Sequence, residues 1–95
     1  MYVQIVKFKL KPNASRDEFL LLTERMVDWL KMQDGFVAYE LYEGDEWWSD
    51  RLVWESDADA QDGMAEFLDT ELAAHIISKV EPDYSSFFGH VLIQG

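Results

Sequence analysis

The chain contains no cysteine. That excludes a disulfide framework and any thiolate metal site, and it fits a reducing cytoplasm. Histidine is almost as scarce, with His75 and His90 the only two. A multi-histidine metal centre would need both plus a carboxylate, and their spacing gives no such pattern, so no metal is expected. Positive charge is also short: eight Lys and Arg against 19 Asp and Glu leave a formal net charge of −11. Such a field repels nucleic acid and anionic membranes, and neither is expected as a partner. It also suits a salt-adapted or very soluble surface. No apolar run approaches the ~20 residues needed to cross a bilayer, and no basic leader precedes an apolar core. No nucleophile motif, phosphate loop or dinucleotide fingerprint is present. Asp57-Ala58-Asp59 lacks the glycine and the spacing of a calcium loop and reads as helix capping.

Apolar and aromatic residues are plentiful. Hydrophobic residues make up 48% of the chain and aromatics 15%, which is too apolar for disorder. The expectation is one domain spanning residues 1–95. A domain this small buries a limited share of its surface, so this much aromatic area points to a subunit interface, a ligand cavity, or both.

Arg51 to Thr70 organises the rest. Leu52, Val53 and Trp54 form a short strand of good β-formers. Ser56 then caps a helix whose first turn carries Asp57 and Asp59, and Ala60, Met64, Phe67 and Leu68 recur at helical spacing. Upstream, Tyr2 to Leu10 reads as a strand with Tyr2, Gln4, Val6 and Phe8 on one face and Val3, Ile5 and Lys7 on the other. Pro12 stops it, and Ser15 with Glu18 forms a capping box. Phe19, Leu22, Met26, Val27 and Leu30 give the first helix its apolar stripe, broadened by Leu20, Leu21 and Trp29, and Gly35 ends it. A second strand follows from Phe36 to Glu43, with Phe36, Ala38, Glu40 and Tyr42 on one face. Gly44-Asp45-Glu46 then supplies turn chemistry for a hairpin whose register stays open. Glu71 to about Val80 is helical, as a separate piece or a kinked continuation. Pro82 ends it, and Phe87 to Ile93 is a last strand.

The order βαββαβ predicts an α+β, ferredoxin-like sandwich: a four-stranded antiparallel sheet with helices on one face. The strands are apolar on both faces, so the open side of the sheet needs a cover. A symmetric homodimer through that open face is the expected one.

Four short motifs recur in order: Lys11-Pro12 after the first strand, Gly35-Phe36 opening the second, Trp54-Glu55-Ser56 closing the third, and Phe67-Leu68-Asp69-Thr70 in the second helix. In order and spacing they resemble the antibiotic biosynthesis monooxygenase (ABM) superfamily of dimeric α+β barrels, over essentially the whole chain. The resemblance implies a pocket in each subunit between sheet and helices. It also implies a range of activities: cofactor-free oxygenases of quinols and polyketide aromatics, haem-degrading enzymes, isomerases and decarboxylases. The haem-degrading members use an asparagine on strand one, a tryptophan on the second helix and a histidine further along it. His75 matches that histidine by order. Ile5 or Val6 stands where the asparagine belongs, with Gln4 nearby, and Gly63 to Ala65 where the tryptophan belongs.

Two functions follow as expectations, beside a purely structural dimer with no ligand whose aromatics serve the interface only. The first is an ABM-like monooxygenase oxidising a small aromatic or quinol substrate without a cofactor. The second is a non-catalytic dimeric module holding a small hydrophobic molecule or haem. His75 is a helix-terminal histidine favoured by the dipole or a pocket acid/base, and His90 is a hydrogen-bonded core or interface residue or a general base. Trp54 is core or pocket wall, and Tyr39, Phe67 and Met64 are candidates for the same wall, the tyrosine adding a polar tip. Trp47 and Trp48 read as a subunit contact or as a flap over a ligand. Glu40 and Arg51 form a cross-strand ion pair, unless Glu40 enters the cavity and becomes a base.

Overall fold

The structure, a computed structural model, describes residues 1–95. Strand β1 (Tyr2–Phe8) leads into helix α1 (Arg16–Leu30). Strands β2 (Phe36–Glu43) and β3 (Trp48–Trp54) follow, then helices α2 (Asp57–Leu68) and α3 (Glu71–Ile77) and strand β4 (Ser85–His90). The four strands form one antiparallel sheet in the order β2-β3-β1-β4. The α+β, ferredoxin-like arrangement expected from the element order is therefore present.

Both expected N-caps form, but the Ser15–Glu18 box is only half made, because the Glu18 carboxylate turns to Lys79 at 3.0 Å instead of the Ser15 amide. The Ser15 hydroxyl accepts from the Glu18 amide at 3.2 Å and the Ser56 hydroxyl from the Asp59 amide at 3.1 Å. Each satisfies one of the donors that a helix start leaves free. Gly35 carries the only positive φ, 77°, in the turn that joins α1 to β2, and a side chain there would collide with Asp59.

The core has two centres. The larger joins Met26 and Leu30 of α1, Leu52 and Trp54 of β3, Ala60 and Phe67 of α2 and Ala73 of α3. Trp54 and Leu30 are fully buried. A Cβ at Gly63 would run into the Trp54 ring, so glycine is what lets α2 lie directly on the indole. The smaller centre is aromatic: Phe8, Phe19 and Trp48, with ring centroids 5.5–6.4 Å apart.

Several sequence expectations are corrected. Trp48 is neither a subunit contact nor a flap. It starts β3 opposite Phe8, which turns its ring inward under α1. Trp47 stays outside that core, with the Lys7 and Lys9 ammonium groups 4.9 and 4.5 Å from its ring centroid. Phe36 does not share a face with Ala38, Glu40 and Tyr42. The β2–β3 register slips between Phe36 and Ala38, and the bulged residue restores Phe36 to the core side, edge-on to Trp54.

Strand β1 ends at Phe8, where β3 has run out of partners. Lys9 to Lys11 pair instead with the 79–81 segment through Leu10 and Val80. The last strand runs Ser85–His90, because β1 offers partners only from Lys7 to Tyr2. After the bond from the Val91 amide to the Met1 carbonyl, Leu92 and Ile93 have nothing to pair with and lie exposed. The helical piece after Asp69 is a separate helix that stops at Ile77, short of Val80. The Thr70 hydroxyl donates to the Phe67 carbonyl at 2.7 Å and accepts from the Ala73 amide at 3.0 Å, closing one helix and opening the next.

Candidate functional site

A cavity of about 1030 Å³ lies between the sheet and the helices. Its floor is the helix-facing side of the sheet. Register aligns Tyr39, Leu52, Gln4 and Phe88 as one row across the four strands, and Leu41, Asp50, Val6 and Ser86 as the next. Its walls are Phe19, Thr23 and Met26 of α1, Met64, Phe67 and Leu68 of α2, and Ile76 and Ile77 of α3. Tyr84 and Phe88, 56% and 52% exposed, flank it on the β4 side. A large, mostly apolar cleft with a few convergent polar groups is the usual form of a small-molecule site.

The polar groups sit on the floor. The Tyr39 hydroxyl donates to Asp50 Oδ2 at 2.9 Å. Asp50 Oδ1 and Gln4 Oε1 are buried without a partner. Burial pushes the Asp50 carboxyl up to about 6, against the smaller opposing pull of the Tyr39 hydroxyl. Burial first, and the Asp50 charge second, push the Tyr39 hydroxyl far above the ordinary phenol range. It therefore stays protonated and acts as a fixed donor.

Of the residues singled out from sequence, Tyr39, Met64 and Phe67 line this cavity together. Trp54 lies beneath it in the core, and its indole Nε1 has no partner. Neither histidine is on the wall. His75 is more than half exposed at the end of α3, with Nε2 3.5 Å from Glu18, and Glu18 also meets Lys79 at 3.0 Å. His90 is exposed at the end of the edge strand, with its ring against Tyr2. Glu40 is on the open face, paired with Arg51 at 2.9 Å, and the Arg51 guanidinium and the Tyr42 hydroxyl hold its carboxyl below the usual range. The cation-paired Glu40 is thus the cross-strand partner and not a cavity base.

With no histidine on the wall, the residues do not fit the haem-degrading arrangement, which takes its iron ligand from the second helix. The residue that sequence reasoning passes over is Asp50. Its signal is nevertheless in the chain: Trp48, Asp50, Leu52 and Trp54 alternate along β3, so Asp50 is the one charge on an otherwise apolar strand face.

No family model and no curated protein matches this sequence. Solved structures do. The chain superposes on SnoaB, described as a cofactor-independent oxygenase from Streptomyces nogalater, with a TM-score of 0.82 over 98% of this chain and 94% of that one, at 16% identity. It superposes on a structure described as an antibiotic biosynthesis monooxygenase with a TM-score of 0.80, 20% identity and 98% and 100% coverage. This chain has the fold of these structures. Rv0793 from Mycobacterium tuberculosis shares it too, at a TM-score of 0.80 and 17% identity over 98% of this chain and 96% of that one. At such identities the likeness extends to the ABM architecture, and the chemistry has to be argued from the cavity. No helix of the chain is long and apolar enough to cross a membrane.

Proposed function

We propose that residues 1–95 form one ABM-type monooxygenase domain that oxidises a small phenolic or quinol substrate in the sheet–helix cavity without a cofactor. The observation that carries this reading is Asp50: a carboxyl with one unpartnered oxygen, at the floor of an apolar cavity, pushed up to about 6. A general base works best when its pKa lies near the working pH. The description of SnoaB as a cofactor-independent oxygenase supports the reading.

In this scheme ionised Asp50 takes the proton of a quinol-type substrate, while the Tyr39 hydroxyl fixes its other oxygen. The substrate anion gives one electron to dioxygen, and the two radicals combine to form a C–O bond. The resulting peroxide takes the proton back from Asp50. It then loses water, with the second hydrogen of the oxidised carbon, to leave a carbonyl. One oxygen atom enters the product and the other leaves as water. The apolar walls lower the polarity around the anion. The histidine roles expected from sequence pass to Asp50 on this reading, with Tyr39, Met64 and Phe67 as the substrate wall. The cysteine-free composition supports a cytoplasmic setting.

Oxygen uptake with a panel of anthrones, naphthols and quinols, in the presence of a chelator, tests the proposal. Substrate-dependent uptake is expected for at least one of them. Binding without uptake would favour the non-catalytic module, and neither would remove the site.

We also propose a homodimer through the open sheet face. On that face Ile5 pairs with Phe87, which is 60% exposed, and sheet-to-sheet packing would cover both. Phe87→Asp puts a charge into that contact without touching the cavity wall. Sedimentation velocity should show a dimer for the parent chain and a monomer for the variant; a monomeric parent chain would refute the interface.

A further inference from the structure

We infer that Gln4 is a specificity-determining residue that makes the cavity select a ligand with two hydrogen-bond donors, one for Asp50 and one for Gln4. This deepens the cavity reading proposed above and rests on it.

The argument begins with what Gln4 lacks. It is 8% exposed, on the central strand β1, and its Oε1 has no hydrogen-bond partner. Buried polar atoms are almost always paired, so an orphan calls for an explanation. Its floor neighbours Val6 and Leu52 are apolar, and an apolar residue would serve the packing at this position without an unpaired oxygen. Gln4 faces Leu52 and Asp50 faces Val6, so Gln4 and Asp50 are diagonal neighbours on the same face of β1 and β3. Diagonal pairs of this kind lie about 7–8 Å apart at Cα, within reach of one aromatic guest.

The second orphan is Asp50 Oδ1. Tyr39 has a single hydroxyl proton, already committed to Oδ2. The floor therefore presents two buried oxygens without partners, Gln4 Oε1 and Asp50 Oδ1, under walls that are mostly hydrocarbon. The guest that satisfies both is a flat aromatic body with two hydroxyls directed to one side. Its more acidic hydroxyl meets Asp50, and the other stays protonated and donates to Gln4. A monohydroxy analogue leaves Gln4 unsatisfied, and sites built to bond a hydroxyl discriminate strongly against analogues without it.

The test is calorimetric binding under nitrogen, where no turnover occurs. The probes are 1-naphthol and 1,3-dihydroxynaphthalene, against the parent chain, Gln4→Leu and, as a second apolar replacement of similar length, Gln4→Met. The parent chain should bind the diol at least about tenfold more tightly than the naphthol. In both variants that preference should fall to about twofold or less, with the diol bound more weakly than by the parent chain and the naphthol bound no more weakly. The variants should melt no lower than the parent chain, because they delete an unpaired buried group. A parent chain without preference overturns the inference, as does a preference that survives both variants. The latter would mean that a water satisfies Gln4. If neither probe binds the parent chain, the cavity reading falls as well, which separates the two failures.

Discussion

Trp54→Ala should lower the unfolding free energy by about 3–5 kcal/mol. The indole is fully buried, carries Phe36 edge-on and lies directly beneath Gly63 of α2. Alanine there removes the transfer energy of a large ring and leaves a hole that α2 cannot close without shifting. Small domains are stable by only about 5–15 kcal/mol in total, so the variant would lose a large fraction and melt many degrees lower. Trp54→Phe is the informative companion. It keeps most of the ring and deletes an N–H that has no acceptor, so its cost should stay within about 1.5 kcal/mol. Urea unfolding at one fixed protein concentration measures both. An alanine variant within about 1 kcal/mol of the parent chain would contradict the packing described.

Asp50→Asn should lower kcat for the oxidised substrate by about 10²–10⁴-fold, the usual contribution of a positioned base. In the parent chain, activity should rise with pH through about 6, as the carboxyl ionises, and then level off. The asparagine variant should lose that rise. Stability should move the other way. The folded-state pKa is raised from 3.8 to about 6, so between those values the folded state keeps a proton that the unfolded chain has lost. Stability therefore falls as pH rises across that window, and the loss is complete above it. Asp50→Asn should flatten this slope and be at least as stable as the parent chain near pH 8. A variant that keeps more than about a third of the parent activity would exclude Asp50 as the base.

The element order was legible because its signals are local. Ser15 and Ser56 announce their helices by residue type, and the apolar spacing of Phe19, Leu22, Met26 and Leu30 needs only the helical period to be read. The open-face and cavity-face residues of β1 follow from simple alternation. What alternation cannot show is a bulge: the slip between Phe36 and Ala38 reverses the side assigned to Phe36, and nothing in Phe-Val-Ala marks it. Strand ends failed for a related reason. Leu92 and Ile93 are good strand residues, but a strand exists only while its neighbour supplies partners, and that is a property of the whole sheet.

The site was half legible. Tyr39, Met64 and Phe67 lie on the cavity wall because aromatic and long apolar residues on those faces are what a cavity is made from. The histidines drew attention through their solution pKa and, for His75, through its order along the chain, and neither says where a side chain sits. Asp50 carries an unremarkable solution pKa, and its interest is created by burial. The register of β3 against β1 decides that burial, and the placement of Trp48 had to be right before Asp50 could be assigned to the inner face.

The break at Thr70 gives the cavity a jointed roof. One long helix across the sheet would move as a rod, so a guest that lifted one end would disturb the whole span. Here Met64, Phe67 and Leu68 belong to one short rod and Ile76 and Ile77 to another, joined at Thr70, whose hydroxyl and backbone both bond to the two rods. In the proposed site each rod would settle on its own part of a guest while the sheet holds the polar floor fixed. Breadth of accepted shapes and accuracy at the polar floor are thereby assigned to different layers of the same small fold.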